Sequence, residues 1–312
     1  AGSSRLPEDL KARARDGGER VVPENVRFLI ATIDTQKNRF EVQIHGFESN
    51  GDVHIVDRFP IKKSKRYDHD GERYPIAPAH YIEDWQLIYE EVMKKTYPLG
   101  DQSGRKMGIK HTSCDSQGED GVTPKAYEFY RWLRTSPDVA VGMEAKFSLT
   151  RGTKNPNAPR VTTIYPDSTD KNRKHVLARG DIPVVQINTN AVKDMADARL
   201  SKSDFGEGYV HFPKWLPDWF YQELTAEVKT TKGWENPRRV RNEAWDLLVY
   251  ALSISLTPDI NFEKIDWIDP PEWAKHWDAN SLVFGENEET PFTNTTALDY
   301  DAEFEKLAEE LG

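Results

Sequence analysis

Hydrophobic and polar positions define three consecutive strand-like stretches near the start of the chain. Residues 28–34 (FLIATID) form a short apolar run that is typical of a buried strand, residues 39–47 alternate apolar and polar side chains, and residues 53–61 form a third candidate strand. Turn residues separate the three stretches at 36–38 and 49–52. The pattern therefore predicts an antiparallel meander of three strands.

The sequence after the meander mixes helical and strand patterns. Apolar residues three and four positions apart indicate helices, and short apolar runs between turn signals indicate strands. The predicted elements are a helix at 79–97, a strand at 107–115, a helix from Thr123 or Pro124, strands at 139–147 and 183–188, a helix at 191–200, a short strand at 209–212, a helix at 218–227, a basic hairpin at 228–241 and a helix at 242–255. We therefore predict an α/β fold with a mixed central sheet flanked by helices.

Two segments flank the predicted core at 26–257. Residues 1–25 are charged and interrupted by glycine and proline, and we interpret them as a short helix and a linker. Residues 258–312 form an acidic tail that ends in a candidate amphipathic helix at 301–311. The tryptophans of the tail are Trp267, Trp273 and Trp277. An acidic segment with tryptophan anchors suits docking onto a protein, and a solvated, partly disordered tail is the alternative.

The net charge of the chain is −10, which at first argues against nucleic-acid binding. Residues 261–312 contain 14 acidic and 3 basic residues, a net −11, so the first 260 residues together carry +1. A core of near-zero net charge can still present a basic stripe to phosphates, so the total excludes no function. Residues 151–180 contain seven Lys or Arg against two Asp, and we interpret this basic block as a long loop or irregular hairpin.

Cys114 is the only cysteine, which excludes an internal disulfide framework and a Cys-rich zinc site. A bound metal would have carboxylate, histidine or water ligands, and carboxylates with water favour Mg²⁺ or Mn²⁺ over Zn²⁺. No run approaches the about 18 apolar residues that span a membrane, and no charged-then-apolar leader opens the chain. We therefore expect a soluble, intracellular protein. The first four residues, AGSS, resemble a cloning remnant.

Three aspartates are the candidates for catalysis. Asp34 and Asp115 end the first and fourth predicted strands, where an unpaired buried carboxylate is costly, and Asp246 lies on the strongly apolar last helix of the core. Each alone also suits a strand-end cap or an exposed acid. Three carboxylates that converge from distant positions repel one another unless divalent cations neutralise them. Because two ions roughly 4 Å apart can activate water and stabilise the leaving oxygen of a phosphodiester, we predict a two-ion nuclease site.

A set of segments stands in a characteristic order between residues 5 and 256. They are LPEDLKARARDGGERVVPENVRFLIATIDTQKNRFEVQIHGF, TSCDSQG, VAVGMEAKF, GEGYVHFP, FYQELTAE and RRVRNEAWDLLVYAL. Together they resemble the nuclease domain of the large terminase subunits of tailed phages, in particular the lambda-like type. The resemblance implies an RNase H/RuvC-like fold and metal ligation by Asp34, Asp115 and Asp246. It also implies cleavage of concatemeric double-stranded phage DNA during packaging. It further implies a small terminase subunit and a portal protein as partners, and the host cytoplasm as location.

Other residues are candidates for accessory roles. Glu243 lies three positions before Asp246, on nearly the same helix face, and is a candidate fourth ligand. His211 in GYVHFP could reach the metal or a phosphate, although a structural histidine is the alternative. The candidate DNA contacts are Lys146, Arg151, Lys154, Arg160, Arg238, Arg239 and Arg241. Lys and Arg in the basic block would hold the DNA backbone without selecting sequence.

The matched family pattern is not complete in this chain. Thr35 follows Asp34 where the family often has valine, and Phe147 follows Lys146 where it usually has glycine. A terminase large subunit also needs an ATPase motor, but the chain contains no G-x-x-x-x-G-K-[ST] P-loop. We expect an excised cutting domain whose motor lies upstream, with a nuclease that lacks a motor as the alternative.

Two other functions stay open at the level of sequence. The first is another enzyme of the same fold, such as a junction resolvase or an RNase H. The second is a packaging adaptor with a degenerate nuclease fold, which would bind portal protein and DNA without cutting. The presence of all three aspartates argues against the adaptor.

Overall fold

The computed structural model describes residues 5–166 and 180–288, which form fifteen strands and six α-helices. The strands are β1 (Val26–Thr35), β2 (Phe40–Glu48), β3 (Val53–Ile61), β4 (Lys63–Tyr67), β5 (Arg73–Pro75), β6 (Thr96–Pro98), β7 (Lys106–Gly108), β8 (His111–Asp115), β9 (Phe147–Thr153), β10 (Val161–Ile164), β11 (Val184–Asn188), β12 (Val210–His211), β13 (Val228–Thr230), β14 (Gly233–Glu235) and β15 (Val283–Phe284). The α-helices are α1 (Pro7–Lys11), α2 (Ile82–Ile88), α3 (Val122–Thr135), α4 (Thr189–Leu200), α5 (Asp218–Leu224) and α6 (Glu243–Ser255). Within these ranges, no helix combines the length and the apolar character needed to cross a membrane.

Eight strands form one mixed sheet in the spatial order β10-β11-β9-β8-β1-β2-β3-β12. β1, β2 and β3 are antiparallel neighbours, which confirms the predicted meander. β8 runs parallel to β1, β9 parallel to β8, and β11 parallel to β9. The predicted mixed sheet flanked by helices is therefore confirmed. Because β1, β8 and β9 run in the same direction, their carboxyl ends lie at one end of the sheet.

Helices bury the meander on both of its faces. On one face, the ring of Phe40 packs edge-on against Trp85 of α2, with 5.2 Å between ring centroids. On the other face, α6 lies across β1 and β2, and the Thr32 hydroxyl donates to the carbonyl of Leu247 at 2.9 Å. Side chains two positions apart on a strand share a face. Asp34, two residues after Thr32, therefore lies on the α6 face.

Three predicted elements have different bounds in the structure. The helix predicted at 79–97 is α2 with a π-helical turn that ends at Met93, after which β6 begins. The strand predicted at 107–115 is divided into β7 and β8. The strand predicted at 139–147 is wrong, because Gly142 adopts a left-handed conformation (φ 84°) that interrupts any extended path. A 3-10 turn follows it, and the strand β9 begins only at Phe147.

The basic block predicted as a loop or irregular hairpin begins with regular structure. β9 continues through Arg151 to Thr153, and β10 adds an antiparallel strand beside β11. Arg151 therefore belongs to the central sheet and not to a loop. Residues 167–179, the other half of the proposed DNA-holding loop, lie outside the described residues.

The described part of the predicted tail, residues 258–288, packs against the start of β1. The indole Nε1 of Trp277 donates to the carbonyl of Val26 at 2.7 Å, and Trp273 packs edge-on against Phe28 at 5.2 Å. β15 also pairs with β7. These tryptophans therefore stabilise this chain's own core, in contrast to the docking role expected for them. The candidate helix at 301–311 lies outside the described residues.

Candidate active site

The central sheet and α6 bring the three candidate aspartates together. In the β1–β8 pair, Ile33 lies opposite Cys114, so Asp34 and Asp115 follow side by side at the carboxyl ends of the two strands. Asp246 lies in the first turn of α6, which crosses β1 on the same face. The structure thus places all three predicted catalytic residues at one end of the sheet.

Burial and neighbouring acidic groups shift the pKa of each of these carboxyl groups upward. Burial raises the pKa of Asp34 to about 6, that of Asp115 to about 7 and that of Asp246 to about 8. The charge of Asp34 raises the pKa of Asp115 further, and both of these acids add to the shift of Asp246. Carboxyl groups influence one another in this way only when they lie close together in a poorly solvated site.

The three carboxyl groups have few protein partners for groups so poorly solvated. Gln36 donates its side-chain N–H to Asp34 at 2.5 Å, and Asp115 accepts one backbone N–H at 3.0 Å. Lys193 Nζ lies 3.7 Å from Asp246 Oδ1, which is longer than a hydrogen bond. The described residues therefore leave oxygen atoms of all three side chains available, and such hard donors suit a divalent cation.

Two residues beside the acids were not predicted from the sequence. Lys193 of α4 forms an ion pair with Glu227 at 2.7 Å and faces Asp246. Tyr250 lies one helical turn after Asp246, and burial together with the charges of all three aspartates raises the pKa of its phenol well above the usual value. The four-residue spacing could have identified Tyr250. Nothing in the sequence around Lys193 shows that α4 packs against α6.

Glu243, the candidate fourth ligand, is held by arginines. Its Oε1 accepts hydrogen bonds from Arg39 at 2.8 Å and from Arg241 at 3.1 Å. The same arginines bind Glu41, which is the cross-strand neighbour of Asp34. Metal ligation by Glu243 would require it to leave these partners. In the arrangement observed, its charge instead contributes to the raised pKa of Asp34.

Two predicted DNA contacts lie on β9 and just after it, at the end of the sheet that holds the acids. Thr150 of β9 pairs with Asp115, so Arg151 and Lys154 lie level with the acids or beyond them. Lys154 is exposed, whereas Arg151 donates to the side-chain carbonyl of Gln186 at 3.2 Å. Lys154 is thus the better placed of the two for a phosphate.

The other predicted DNA contacts differ in exposure, in their ion pairs and in their distance from the acids along the sheet. Arg238 and Arg239 are exposed in the segment that leads into α6. Arg241 is committed to the buried glutamates, and Arg160 forms an ion pair of 2.7 Å with a glutamate that follows α6. Lys146 precedes β9 and therefore lies at the opposite end of that strand from Asp115. Arg238 and Arg239 therefore precede the helix that carries Asp246, whereas Lys146 lies at the end of β9 away from Asp115.

His211, the candidate accessory residue, lies far from the three aspartates. It belongs to β12, which pairs with the first residues of β3 beside the end of β2. Asp34 pairs with Glu41 at the other end of β2, seven residues before Glu48. At about 3.4 Å per residue the separation is on the order of 20 Å. The expectation that His211 reaches the same metal site is therefore wrong, because β12 lies at the other end of the sheet.

The pH dependence of stability follows from the raised pKa values. In the unfolded chain an aspartate has a pKa of about 4, whereas folded Asp115 and Asp246 keep their protons to about 7 and about 8. The folded state therefore binds more protons between these values, and that stabilisation is lost as the pH rises. We expect the metal-free protein in EDTA to have a Tm a few degrees lower at pH 8 than at pH 6.5.

The Asp246→Asn variant isolates this effect, because asparagine does not titrate. Its Tm is expected to change less than that of the unchanged protein between pH 7 and 8. Buried His45 and His111, whose pKa values burial lowers, oppose the trend only below about 6.5, near the pKa of a solvated histidine. Equal slopes for the two proteins would contradict the assignment of Asp246.

Converging carboxyl groups beside exposed basic side chains suit the cleavage of a phosphodiester. The family described as "Terminase large subunit gpA, endonuclease domain" matches residues 2–267, so this chain belongs to that family. The chain is also similar to the "Terminase, large subunit" of Escherichia phage lambda, with 25% identity over 264 residues, 78% of this chain and 34% of that protein. It thus spans about a third of the length of that relative. The predicted resemblance is confirmed, and membership of the family implies endonuclease activity.

Proposed function

We propose that this chain is an RNase H-like endonuclease that cleaves concatemeric double-stranded viral DNA during packaging, with two Mg²⁺ or Mn²⁺ ions as cofactors. The observation that carries this proposal is the convergence of Asp34, Asp115 and Asp246 at one end of the sheet, where the charge of Asp34 raises the pKa of both other acids. The meander continued by parallel strands agrees with the mixed sheet expected for that fold. The family assignment supports the same activity.

The spacing of the three acids favours two ions over one. In the described ranges, three ligand atoms within 4.8 Å of one another occur only in a different cluster, so the acids are too far apart to surround a single ion as they stand. Ions about 4 Å apart would bridge such a site. When bound, they supply an activated water and neutralise the charge that develops on the leaving oxygen.

The protein's own residues position the substrate and the ligands. Asp34 and Asp115 extend from the ends of rigid strands, and the hydrogen bond from Gln36 fixes the orientation of Asp34. Lys154 and the pair Arg238 and Arg239 would bind phosphates on either side of the acids. Since phosphate contacts carry no sequence information, the cut site would be chosen by partners.

The proposed partners are a small terminase subunit and a portal protein, in the host cytoplasm. Their support is the family assignment and the description of the lambda relative as a large subunit. We further propose that 26–257 is the nuclease domain and that 258–312 is an appendage to it. Cleavage of DNA requires neither partner in this proposal, which makes the isolated chain testable.

Cleavage assays with three substrates test the proposal. In Mn²⁺ we expect hydrolysis of linear duplex DNA and none in EDTA, because the acids need cations to share one site. Hydrolysis of an RNA–DNA hybrid alone would assign the chain to the RNases H, and cleavage of a four-way junction alone to the resolvases. Binding of duplex without cleavage of any substrate would favour the adaptor.

The proposed phosphate contacts predict a change in the salt dependence of DNA binding. Lys154→Ala removes one exposed cation at the acid end, so the slope of log Kd against log salt is expected to fall by about 0.9. Arg238→Ala with Arg239→Ala is expected to lower it by about twice that amount. Fluorescence anisotropy with duplex DNA in EDTA measures both slopes.

The matched control for this measurement is Lys214→Ala. Lys214 pairs with Asp16 at 3.2 Å and follows β12, at the edge of the sheet far from the acids. Its removal is expected to leave the slope unchanged. A slope that falls equally in all three proteins would show that the DNA is bound without preference for the acid end.

A further inference from the structure

A second group of candidate metal ligands lies at the end of the sheet opposite the aspartates. Glu48 ends β2, His54 lies in β3 and His211 lies in β12. Nε2 of His54 is 2.7 Å from Glu48 Oε2, and Nε2 of His211 is 3.8 Å from the same oxygen. In the part of the chain that the structure describes, this is the one group whose three ligand atoms all lie within 4.8 Å of one another.

We propose that Glu48, His54 and His211 bind a transition-metal ion of the Zn²⁺ class, at a site separate from the nuclease centre. Two imidazole nitrogens and one carboxylate form a donor set that suits zinc, whereas an all-carboxylate set suits magnesium or manganese. The two ends of the sheet would therefore select different metals. Three protein ligands leave a fourth position for water.

The distances are close to those that such an ion requires. Zinc binds nitrogen and oxygen at about 2.0 to 2.1 Å in tetrahedral geometry, so neighbouring ligand atoms are about 3.3 Å apart. The separations of 2.7 and 3.8 Å lie on either side of this value. The imidazole rings now stack with their planes 4° apart and their centroids 4.1 Å apart. To bind one ion, the rings would rotate out of this stacked arrangement until both Nε2 lone pairs point at the same position.

Asp52 holds the His211 ring beside this cluster. Its Oδ2 lies 2.8 Å from His211 Nε2, and its two oxygens accept the backbone N–H groups of Gly206, Gly208 and Tyr209 at 2.9 to 3.0 Å. Gly206 and Gly208 have φ values of 87° and 101°, which glycine adopts without strain. Because this hydrogen bond uses the nitrogen that would bind the ion, metal binding replaces it, and the firmly held Asp52 carboxylate remains beside the ion as a compensating negative charge.

The site is open to an ion from solvent. The three ligand side chains are each 13 to 15% exposed, and both histidines line a cavity of about 180 Å³. Burial lowers the pKa of His211, and the neighbouring His54 adds to this, which favours the neutral form of the ring. A neutral imidazole is the form that binds metal. The bound ion would tie β12, and the segment before it, to the end of the meander.

Cobalt titration tests the proposal, because Co²⁺ in a tetrahedral nitrogen and oxygen site absorbs visible light. The titrated protein carries Asp34→Ala, which impairs the nuclease centre and leaves the second site intact. We expect one equivalent of Co²⁺ to give the absorption band and Zn²⁺ to abolish it. His54→Gln and His211→Gln in the same background are each expected to weaken Co²⁺ binding at least tenfold.

His69→Gln is the matched control, since His69 is exposed beside Asp70 in the turn between β4 and β5 and does not belong to the cluster. It is expected to leave the band unchanged. Thermal unfolding provides the second measurement: Zn²⁺ is expected to raise the Tm of the Asp34→Ala protein but not that of its His54→Gln derivative. If His54→Gln fails to fold, Glu48→Gln replaces it. Absence of the band, or a band that persists in both histidine variants, would overturn the proposal.

Discussion

The Asp34→Ala variant is expected to lose plasmid nicking in Mn²⁺ by on the order of 10³-fold or more, the scale found for residues that act as a catalytic unit. The charge of Asp34 contributes to the raised pKa of both other acids, Asp115 and Asp246. In the proposed site, removing Asp34 would take away one of the three carboxylates that would hold the ions. For the same reason Asp34→Ala with Asp115→Ala is expected to be little worse than either single change.

The same substitution is expected to leave the fold intact. Burial raises the pKa of Asp34 to about 6, so at pH 7.5 the metal-free protein carries an unfavourable buried charge there. Alanine removes that charge, and the Tm in EDTA should be equal or higher. Duplex binding should also be retained, because the proposed phosphate contacts are untouched. Loss of nicking together with a lower Tm would point to a structural role instead.

Asp120→Ala is the matched control for this prediction. Asp120 is an exposed acid in the loop just after Asp115, and the same substitution there removes a carboxylate close to the site without touching its core. We expect nicking within about twofold of the unchanged protein, as is usual for a surface position. Undiminished nicking by Asp34→Ala would remove the proposed site altogether.

The convergence of the three candidate acids could be predicted from the sequence because they combine two independent signals. Asp34 and Asp115 each end an apolar strand, and Asp246 interrupts an apolar helix, so each breaks a local hydrophobic pattern. The ordered family segments then indicated which of many acids belong together. Because β1 and β8 are parallel neighbours, Asp34 and Asp115 lie side by side at the ends of these strands, as the predicted fold class implies.

The polar side of β2 could not be predicted in the same way. The alternation of apolar and polar residues in β2 is the pattern of a strand with one face in solvent. Glu41, Gln43 and His45 are nevertheless buried, because α6 covers them and arginines neutralise the acid. An alternating strand shows which residues share a face, but not what covers that face. Glu243 is a candidate metal ligand in the sequence for a similar reason, since the pattern does not show that Arg39 of a distant segment binds it together with Arg241.

The position of His211 shows the other limit of sequence-based inference. A short strand gives no indication of which sheet edge it joins, and β12 joins β3 at the end away from the acids. His54 was not singled out at all, because a lone histidine in a strand has no local signature. The two residues become a candidate site only through that pairing, which sets His211 directly beside His54.

A buried network of ion pairs underlies the second prediction with a large effect. The side chain of Arg58 is 1% exposed and donates to Glu41 at 3.1 Å and to Glu223 at 2.9 Å. Glu223 also accepts the backbone N–H of Ala244, in the first turn of α6, at 3.0 Å. The network therefore connects the meander to the start of the helix that carries Asp246.

Arg58→Ala is expected to lower the free energy of unfolding by about 3 to 5 kcal/mol, because it leaves buried carboxylates without their cation. Glu41 keeps two other arginines, so most of the cost falls on Glu223, whose nearest remaining cation is Arg241 at 3.5 Å. Urea denaturation measures the change. Nicking should fall as well, since the first turn of α6 loses its attachment.

Two further variants separate this explanation from a simple loss of packing. Adding Glu223→Gln to Arg58→Ala removes the uncompensated charge, so the double variant is expected to be more stable than Arg58→Ala alone. Lys11→Ala breaks an exposed ion pair with Asp218 on α5 and should cost less than about 1 kcal/mol. A double variant that is less stable than Arg58→Ala would mean that the arginine acts mainly through its volume. In that case the attachment of α6, and with it the position of Asp246, would depend on core packing and not on charge.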